Sequence, residues 1–492
     1  MIAWKEYTLF DNGTSNIITL IICFAIFCLC IKRFIFNEKS QIPKNCEYPP
    51  ISDESMFRTM LIVLQGNILP YFLHLHQKLG STFRFNLRNP YKMIVISTDT
   101  NLIRKILDDR NSFKPLRYNH LKILHGDGDD IFTSNGDFPY HSRKGMMPAF
   151  SPKMIKQRGE IINKAIDEFI IHRLDQLSSA DVSSSTLSFD PSREMIKLTI
   201  DIICKAAFQY EMSDTEAESL YKNLEVTVKE FRMQVIPLRL RLARFIPNAR
   251  RATEAGFKTK AFGMKILEHY RNLEDPIPGT IIHMISKSPH YKSDSERAND
   301  IAVLFFAGHD TTGNTIAWTL IALAQNPSIQ KELNQHLLSL PESERPESKL
   351  LHNIVKESMR MFPVAAITSL RVTTKDIIVP QENGKKNLFI PKNSNFTFSN
   401  FLVCRDPNIF SNPDKFDPSR WDDYNSMDSS NAFWPFSIGR RGCIGQSLAM
   451  FELHNVLAKL CSKFNFEIDV EGNYDYKLIY RPVGYKLRAT KL

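Results

Sequence analysis

The chain has 492 residues, 43% hydrophobic and 24% charged, an ordinary globular usage with material for a sizeable buried core. The formal net charge is +10, but the basic residues are scattered, which weighs against nucleic acid and leaves an acidic membrane surface or protein partner. Eight cysteines without a CxxC pair, three of them in one apolar segment, weigh against a zinc site or a disulfide framework.

Residues 17–31 read IITLIICFAIFCLCI, and the uncharged run reaches back to Asn12. At about 1.5 Å per residue, that run spans a hydrocarbon core of about 30 Å. Lys32 and Arg33 follow at once, which predicts a single-pass anchor in the endoplasmic reticulum with the rest of the chain in the cytosol. A cleaved signal peptide carries its basic residues before the apolar core, and a buried core helix is the other alternative. Asn12-Gly13-Thr14 fits a glycosylation sequon, lumenal under this topology. Residues 1–36 are thus expected as the anchor. Residues 37–50, with Pro43, Pro49 and Pro50, are expected as a stiff connector, and 51–492 as one catalytic domain.

Helical patterns cover 152–177, 193–208, 215–235, 252–273, 296–325 and 328–340, with a serine loop at 183–185. Strand-like runs stand at 82–85, 93–97, 388–390 and 476–480. No alternating βα rhythm is present, so the expected class is mostly α with small β-sheets. Residues 232–251 interleave arginines with Ile, Leu and Phe. They read as a basic amphipathic lid dipping into lipid headgroups, with a solvated loop as the plain alternative.

Residues 301–321, IAVLFFAGHDTTGNTIAWTLI, are apolar nearly all round and therefore buried. Asp310, Thr311 and Thr312 in the middle of such a helix need a reason. Glu357 and Arg360 share a helical face three residues apart. Residues 436–445, FSIGRRGCIG, place Phe436, Gly439, Arg441, Cys443 and Gly445 in the pattern F-x-x-G-x-R-x-C-x-G. A thiolate ligand must be deprotonated and shielded, and backbone N–H groups just after it can bond the sulfur. Glycines let the backbone run close beneath a flat macrocycle. Gly445 opens a helical pattern whose positive N-terminal end favours a thiolate. A buried structural cysteine is the bland reading, but Gly and Arg at those spacings fill no core.

The run 436–445 resembles the haem-binding signature of the cytochrome P-450 family of haem-thiolate monooxygenases, microsomal type, and Ala307 to Thr312 resembles its A-G-x-D/E-T-T/S motif. The resemblance implies the cytochrome P-450 fold and haem b with Cys443 as the axial iron ligand. It implies Arg441 on a propionate, Phe436 packed near the sulfur, and Gly439 in the cofactor loop. Asp310 and Thr311 become the catalytic proton relay, Thr311 being favoured over Thr312. Gly308 would leave room for O2, and His309 would be a packing or surface residue. Glu357, Arg360 and Arg420 would form a scaffold beneath the haem. Arg371 and Arg143 would contact propionates, with Pro139 where the family has Trp, and Cys404 stands where His is usual.

The implied reaction takes electrons from NADPH through a separate flavoprotein reductase, since no G-x-G-x-x-G motif is present. One atom of O2 enters a C–H bond of a hydrophobic or amphipathic small molecule: a fatty acid, terpenoid, sterol or prenylated metabolite. Stepwise oxidation of a methyl group to a carboxylate is one form of this. The rivals are a haem-thiolate isomerase or dehydratase, and a non-catalytic haem sensor. The acid–threonine pair favours oxygen activation over both.

Overall fold

A computed structural model describes residues 42–84, 93–174, 188–233, 245–368, 370–382, 384–422 and 432–492. The expected anchor, the serine loop and residues 234–244 of the expected lid lie outside the described residues. Among the described residues, no helix is long and apolar enough to cross a membrane.

The helices that build the site are α1 (Asp137–Met146), α2 (Pro191–Ile202), α3 (Asp214–Met233), α4 (Pro247–Arg271), α5 (Asp294–Gln325), α6 (Lys349–Met361) and α7 (Gln446–Cys461). The longest is α5. Its N-cap Ser293 accepts from the Glu296 N–H, while the Glu296 carboxylate accepts from the Lys292 N–H, a reciprocal start signal. It packs on α2, α4, α6 and α7. Every residue of 298–305 and 312–323 is buried. Burial of each large apolar side chain there contributes about 1.5–3 kcal/mol.

Small residues set how closely α5 lies on α2. A Cβ added to Gly313 would stand 3.0 Å from the Ile196 backbone, and Thr199 of α2 donates to the His309 carbonyl at 2.9 Å. Gly308 has the same use. A Cβ there would lie 2.1 Å from Ile203 Cδ1, so its missing side chain serves the helix contact.

The sheets are small. β1 (Thr82–Arg84), β2 (Ile94–Ser97), β3 (Arg371–Val372) and β4 (Asn395–Phe398) form one sheet in the order β1-β2-β4-β3, parallel only between β2 and β4. Three-stranded sheets form around Asn387–Ile390 and around Lys486–Lys491. The run 476–480 is not a strand. It is the turn of an antiparallel hairpin between β5 (Asn473–Tyr476) and β6 (Tyr480–Val483), closed by the pair Tyr476–Tyr480. Trp318 of α5 anchors that hairpin. Its indole lies between Phe362 at 4.5 Å and Tyr480 at 5.2 Å, and its N–H donates to the Tyr480 carbonyl at 3.1 Å.

The helical pattern 152–177 also divides. Helices Pro152–Gln157 and Gly159–Phe169 meet at Arg158, whose N–H bonds to the Ile155 carbonyl three residues back at 3.0 Å, and a π-helical turn, Ile170–Leu174, follows. The buried Arg158 guanidinium donates to the carbonyls of Met154, Ala149 and Ala206, satisfying groups that the break leaves open.

Candidate functional site

The cysteine loop is a tight backbone hairpin. The Cys443 N–H donates to the Phe436 carbonyl at 2.8 Å, and the Gly442 N–H to the Gly439 carbonyl at 2.9 Å. Gly439 has φ +72°, and a Cβ there would stand 2.7 Å from the Leu107 carbonyl oxygen, so glycine is required on both counts. Gly445 is the N-cap of α7. The Phe436 ring is half-buried against the main core. Cys443 itself is exposed. Desolvation raises its thiol pKa, while the hydrogen bond from the Gly445 N–H and the charge of Arg143 work against that rise. Arg143 of α1 reaches the loop directly, donating to the Gly442 carbonyl at 2.6 Å. Pro139 sits in the first turn of α1, where its missing N–H leaves no helical bond unmade.

Beside this loop stands a cluster of cations. Arg143, Arg371 and Arg441 are joined by Lys114, which the sequence reading did not single out. Lys114 and Arg371 are buried at 4% and 2% exposure. Among the described residues none of the four forms an ion pair. Arg371 donates to the Leu370 carbonyl at 3.1 Å, Arg441 reaches the Ser134 carbonyl at 3.5 Å, and the Lys114 ammonium lies 4.3 Å over the Phe132 ring. Burial, then the neighbouring Arg371 and Arg441, push the Lys114 pKa well below its ordinary value. Burial also lowers Arg371, Arg143 and Arg441. Asp130 acts on Lys114 but is already occupied by His125 at 3.0 Å and by Thr133. Four desolvated cations without carboxylate partners fit a ligand that brings its own acids, and the two propionates of haem are such acids.

The continuous burial of α5 is interrupted in one stretch. Ala307 is exposed, and Phe306, Asp310 and Thr311 are partly so. The Thr311 hydroxyl donates to the Ala307 carbonyl at 2.8 Å, and Thr315 and Thr319 repeat the same back-bond. Thr312 is buried. Asp310 accepts from the Asn314 amide at 3.0 Å. Its pKa is pushed up to about 6 by burial, against the opposing charge of Arg481. His309 points the other way. It is buried against Phe305 and Phe306, its ring Nδ1 is 2.6 Å from the Phe305 carbonyl, and burial lowers its pKa to about 4.

The acid of α6 is saturated. Glu357 accepts from Arg360 twice at 2.9 Å, from Arg420 and from the Trp421 indole at 3.0 Å, and from the Asp417 N–H at 2.8 Å. Arg360 also donates to the carbonyls of Cys404, Pro413 and Lys415. Trp421 is a member that sequence spacing did not assign, although it directly follows Arg420. Cys404 is buried, and burial raises its thiol pKa to about 12, which leaves it chemically inert.

A family model described as Cytochrome P450 matches residues 49–486. The chain is 26% identical over 454 residues to the mitochondrial sterol 26-hydroxylase of Rattus norvegicus, covering 82% of this chain and 81% of the relative. It is 27% identical over 430 residues to leukotriene-B4 omega-hydroxylase 3 of Mus musculus, covering 80% of each. It is 24% identical over 491 residues to a probable cytochrome P450, 508A2, of Dictyostelium discoideum, covering 90% of this chain and 96% of the relative.

Proposed function

This chain belongs to the cytochrome P450 family, and from that premise we propose that Cys443 is the axial thiolate and that Asp310 and Thr311 serve oxygen activation. The enzyme is a monooxygenase with haem b held through a cysteine thiolate. The observation that carries the residue assignment is the cluster of Lys114, Arg143, Arg371 and Arg441 beside the exposed Cys443. Those four cations would hold the two propionates. When bound, haem supplies the iron at which O2 is reduced and split, with thiolate donation favouring the split.

The chain's own residues do the rest. The scaffold of Glu357, Arg360, Arg420 and Trp421 fixes segments 404–421 against α6. Asp310, with its pKa near 6, exchanges a proton readily at neutral pH, where general acid–base groups work best. The Thr311 hydroxyl, tethered to the Ala307 carbonyl, keeps its lone pairs free to accept from water in the open stretch of α5.

The substrate is a hydrophobic or amphipathic small molecule, oxidised at a C–H bond and at a terminal methyl in the reading we favour. Two relatives support this by name, one a sterol 26-hydroxylase and one a leukotriene omega-hydroxylase. Electrons would come from NADPH through a separate flavoprotein reductase. Residues 1–36 would anchor residues 51–492 to the endoplasmic reticulum.

The test is turnover. Reductase-bearing vesicles with NADPH are offered medium-chain fatty acids, a sterol and a prenylated alcohol, and products are read by mass spectrometry. A product one oxygen heavier supports the reading. NADPH- and O2-independent rearrangement of a hydroperoxide would replace it with the isomerase.

A further inference from the structure

The first turns of α5 are tied to residues 125–135, and that segment leads on to two of the haem-facing cations. Asp300 of α5 has no exposed surface. One of its oxygens accepts the Ile131 N–H at 2.7 Å, and the other accepts the Tyr291 hydroxyl at 2.7 Å. Beside it, Asn299 donates to the carbonyls of Asp127 and Asp129 at 2.9 and 3.1 Å. The segment is also fixed within itself. Asp130 accepts the N–H groups of Phe132 and Thr133 at 2.7 Å and the Thr133 hydroxyl, and His125 lies 3.0 Å from the same carboxylate. Whatever holds Ile131 therefore places the residues after it. The Phe132 ring lies 4.3 Å beneath the Lys114 ammonium. The Ser134 carbonyl takes the Arg441 guanidinium at 3.5 Å. Asn135 brackets the Lys114 backbone, accepting its N–H at 2.9 Å and donating to its carbonyl at 2.8 Å.

We propose that Asp300 is a positioning residue for the cofactor: through the segment 131–135 it sets where Lys114 stands and steadies Arg441. This rests on the reading above that those cations hold the haem propionates. With no exposed surface, Asp300 itself touches neither cofactor nor substrate. Lys114 depends on such help. Its ammonium ends a flexible four-carbon stem and forms no ion pair among the described residues, so its place is set by the backbone at Asn135 and the ring of Phe132. Both belong to the segment that Asp300 holds. Burial pushes the Asp300 pKa up to about 8, against the bonds from Tyr291 and Ile131, so an uncharged amide is a close replacement for it. Sequence spacing gives no hint of this, because Ile131 and Asp300 are 169 positions apart in the chain.

The experiment uses the full chain loaded with haem, and follows haem transfer to an excess acceptor protein by absorbance. Lys114→Met and Arg441→Met are run as references. Asp300→Leu leaves the buried Ile131 N–H without its acceptor and should speed transfer roughly tenfold, with the red-shifted carbon monoxide band intact. Asp300→Asn keeps an acceptor for that N–H and should stay within about twofold of wild type. In the Lys114→Met background, Asp300→Leu should add no more than about threefold, because one of the two contacts it steadies is already gone. The propionate bending bands of the resonance Raman spectrum should shift in Asp300→Leu as they do in Lys114→Met. If Asp300→Leu does not fold, Asn135→Ala cuts the same path at its far end and should change the rate and the bands in the same way. Unchanged transfer in Asp300→Leu or Asn135→Ala overturns the proposal. So does full multiplication of the Asp300→Leu and Lys114→Met effects, which would make Asp300 an acid that supports the fold alone. If Lys114→Met and Arg441→Met both leave transfer unchanged, the assignment of those cations to the propionates falls first, and the proposal with it.

Discussion

Glu357 is a fully buried acid and Asp310 a half-buried one in the same domain, and they are treated in opposite ways. Glu357 receives a bond from every direction, two of them from a fully buried Arg360. Asp310 receives one bond, from the next turn of its own helix, and shares the influence of one arginine with two other acids. Saturation makes the α6 side rigid, because any movement breaks several charged hydrogen bonds at once. Sparse partnering leaves the α5 side able to change protonation state near neutral pH. A cofactor floor and a proton donor need those two different properties, and each acid's partner list supplies the one its side requires.

The largest effect expected is at the cysteine. Cys443→Ser should abolish turnover and remove the red-shifted Soret band of the reduced carbon monoxide complex, while the loop's backbone bonds persist. Retention of that band would mean another ligand. On the rigid side, Glu357→Gln removes the charge that Arg360 and Arg420 share, leaving two guanidiniums short of their anion. Breaking a buried pair this way costs about 3–5 kcal/mol. Denaturant unfolding should show that loss, with haem incorporation falling alongside. A loss under about 1 kcal/mol would make the cluster an ordinary surface pair and erase the contrast.

On the responsive side, Asp310→Asn should lower turnover by about a hundredfold with the carbon monoxide spectrum unchanged. It should also stabilise the protein, with a pH signature. The folded-state pKa of about 6 lies above the unfolded value of about 3.9, so the protonated form is favoured on folding. The stability this gives is fully present below about pH 4 and is lost as pH rises through about 6. The Asn variant, always neutral, should therefore gain about 1–3 kcal/mol over wild type at pH 8 and nothing at pH 4. Equal differences at both pH values would show that burial does not set this acid's behaviour.

The two sides also differed in how much the sequence disclosed. The loop 436–445 and the motif 307–312 could be read because their chemistry fixes residue type at short spacing. Helix α5 was placed to within two residues of its first position, because a helical pattern and a run apolar nearly all round are local features. What escaped depends on distance. The use of Gly308 is fixed by Ile203 on another helix, and the hairpin at 476–480 by a cross-strand pair. Arg158 ends a helix by donating to three carbonyls, one of them 48 residues away, and no periodicity carries that information. Lys114 is a single lysine before a proline, and only the fold brings it beside Arg371 and Arg441.

Lys114 gives the smallest expected effect and the finest division of the haem-facing surface. Its contacts are with Asn135, through its own backbone, and with the rings of Phe132 and Tyr118. None of these reaches the cysteine loop, whereas Arg143 donates straight into it. Lys114→Met should therefore weaken a propionate contact and nothing else. One charged hydrogen bond is worth about 1.5–3 kcal/mol, so haem should transfer to an excess acceptor protein roughly tenfold faster or more, with the Soret position unchanged. Arg143→Met should speed transfer and also shift the Soret band, because it removes a support of the Gly442 carbonyl beside the sulfur. If Lys114→Met shifted the band as well, the cation cluster and the cysteine loop would be a single mechanical unit. If it left transfer unchanged, the charge at Lys114 would be matched by Asp130 rather than by the cofactor.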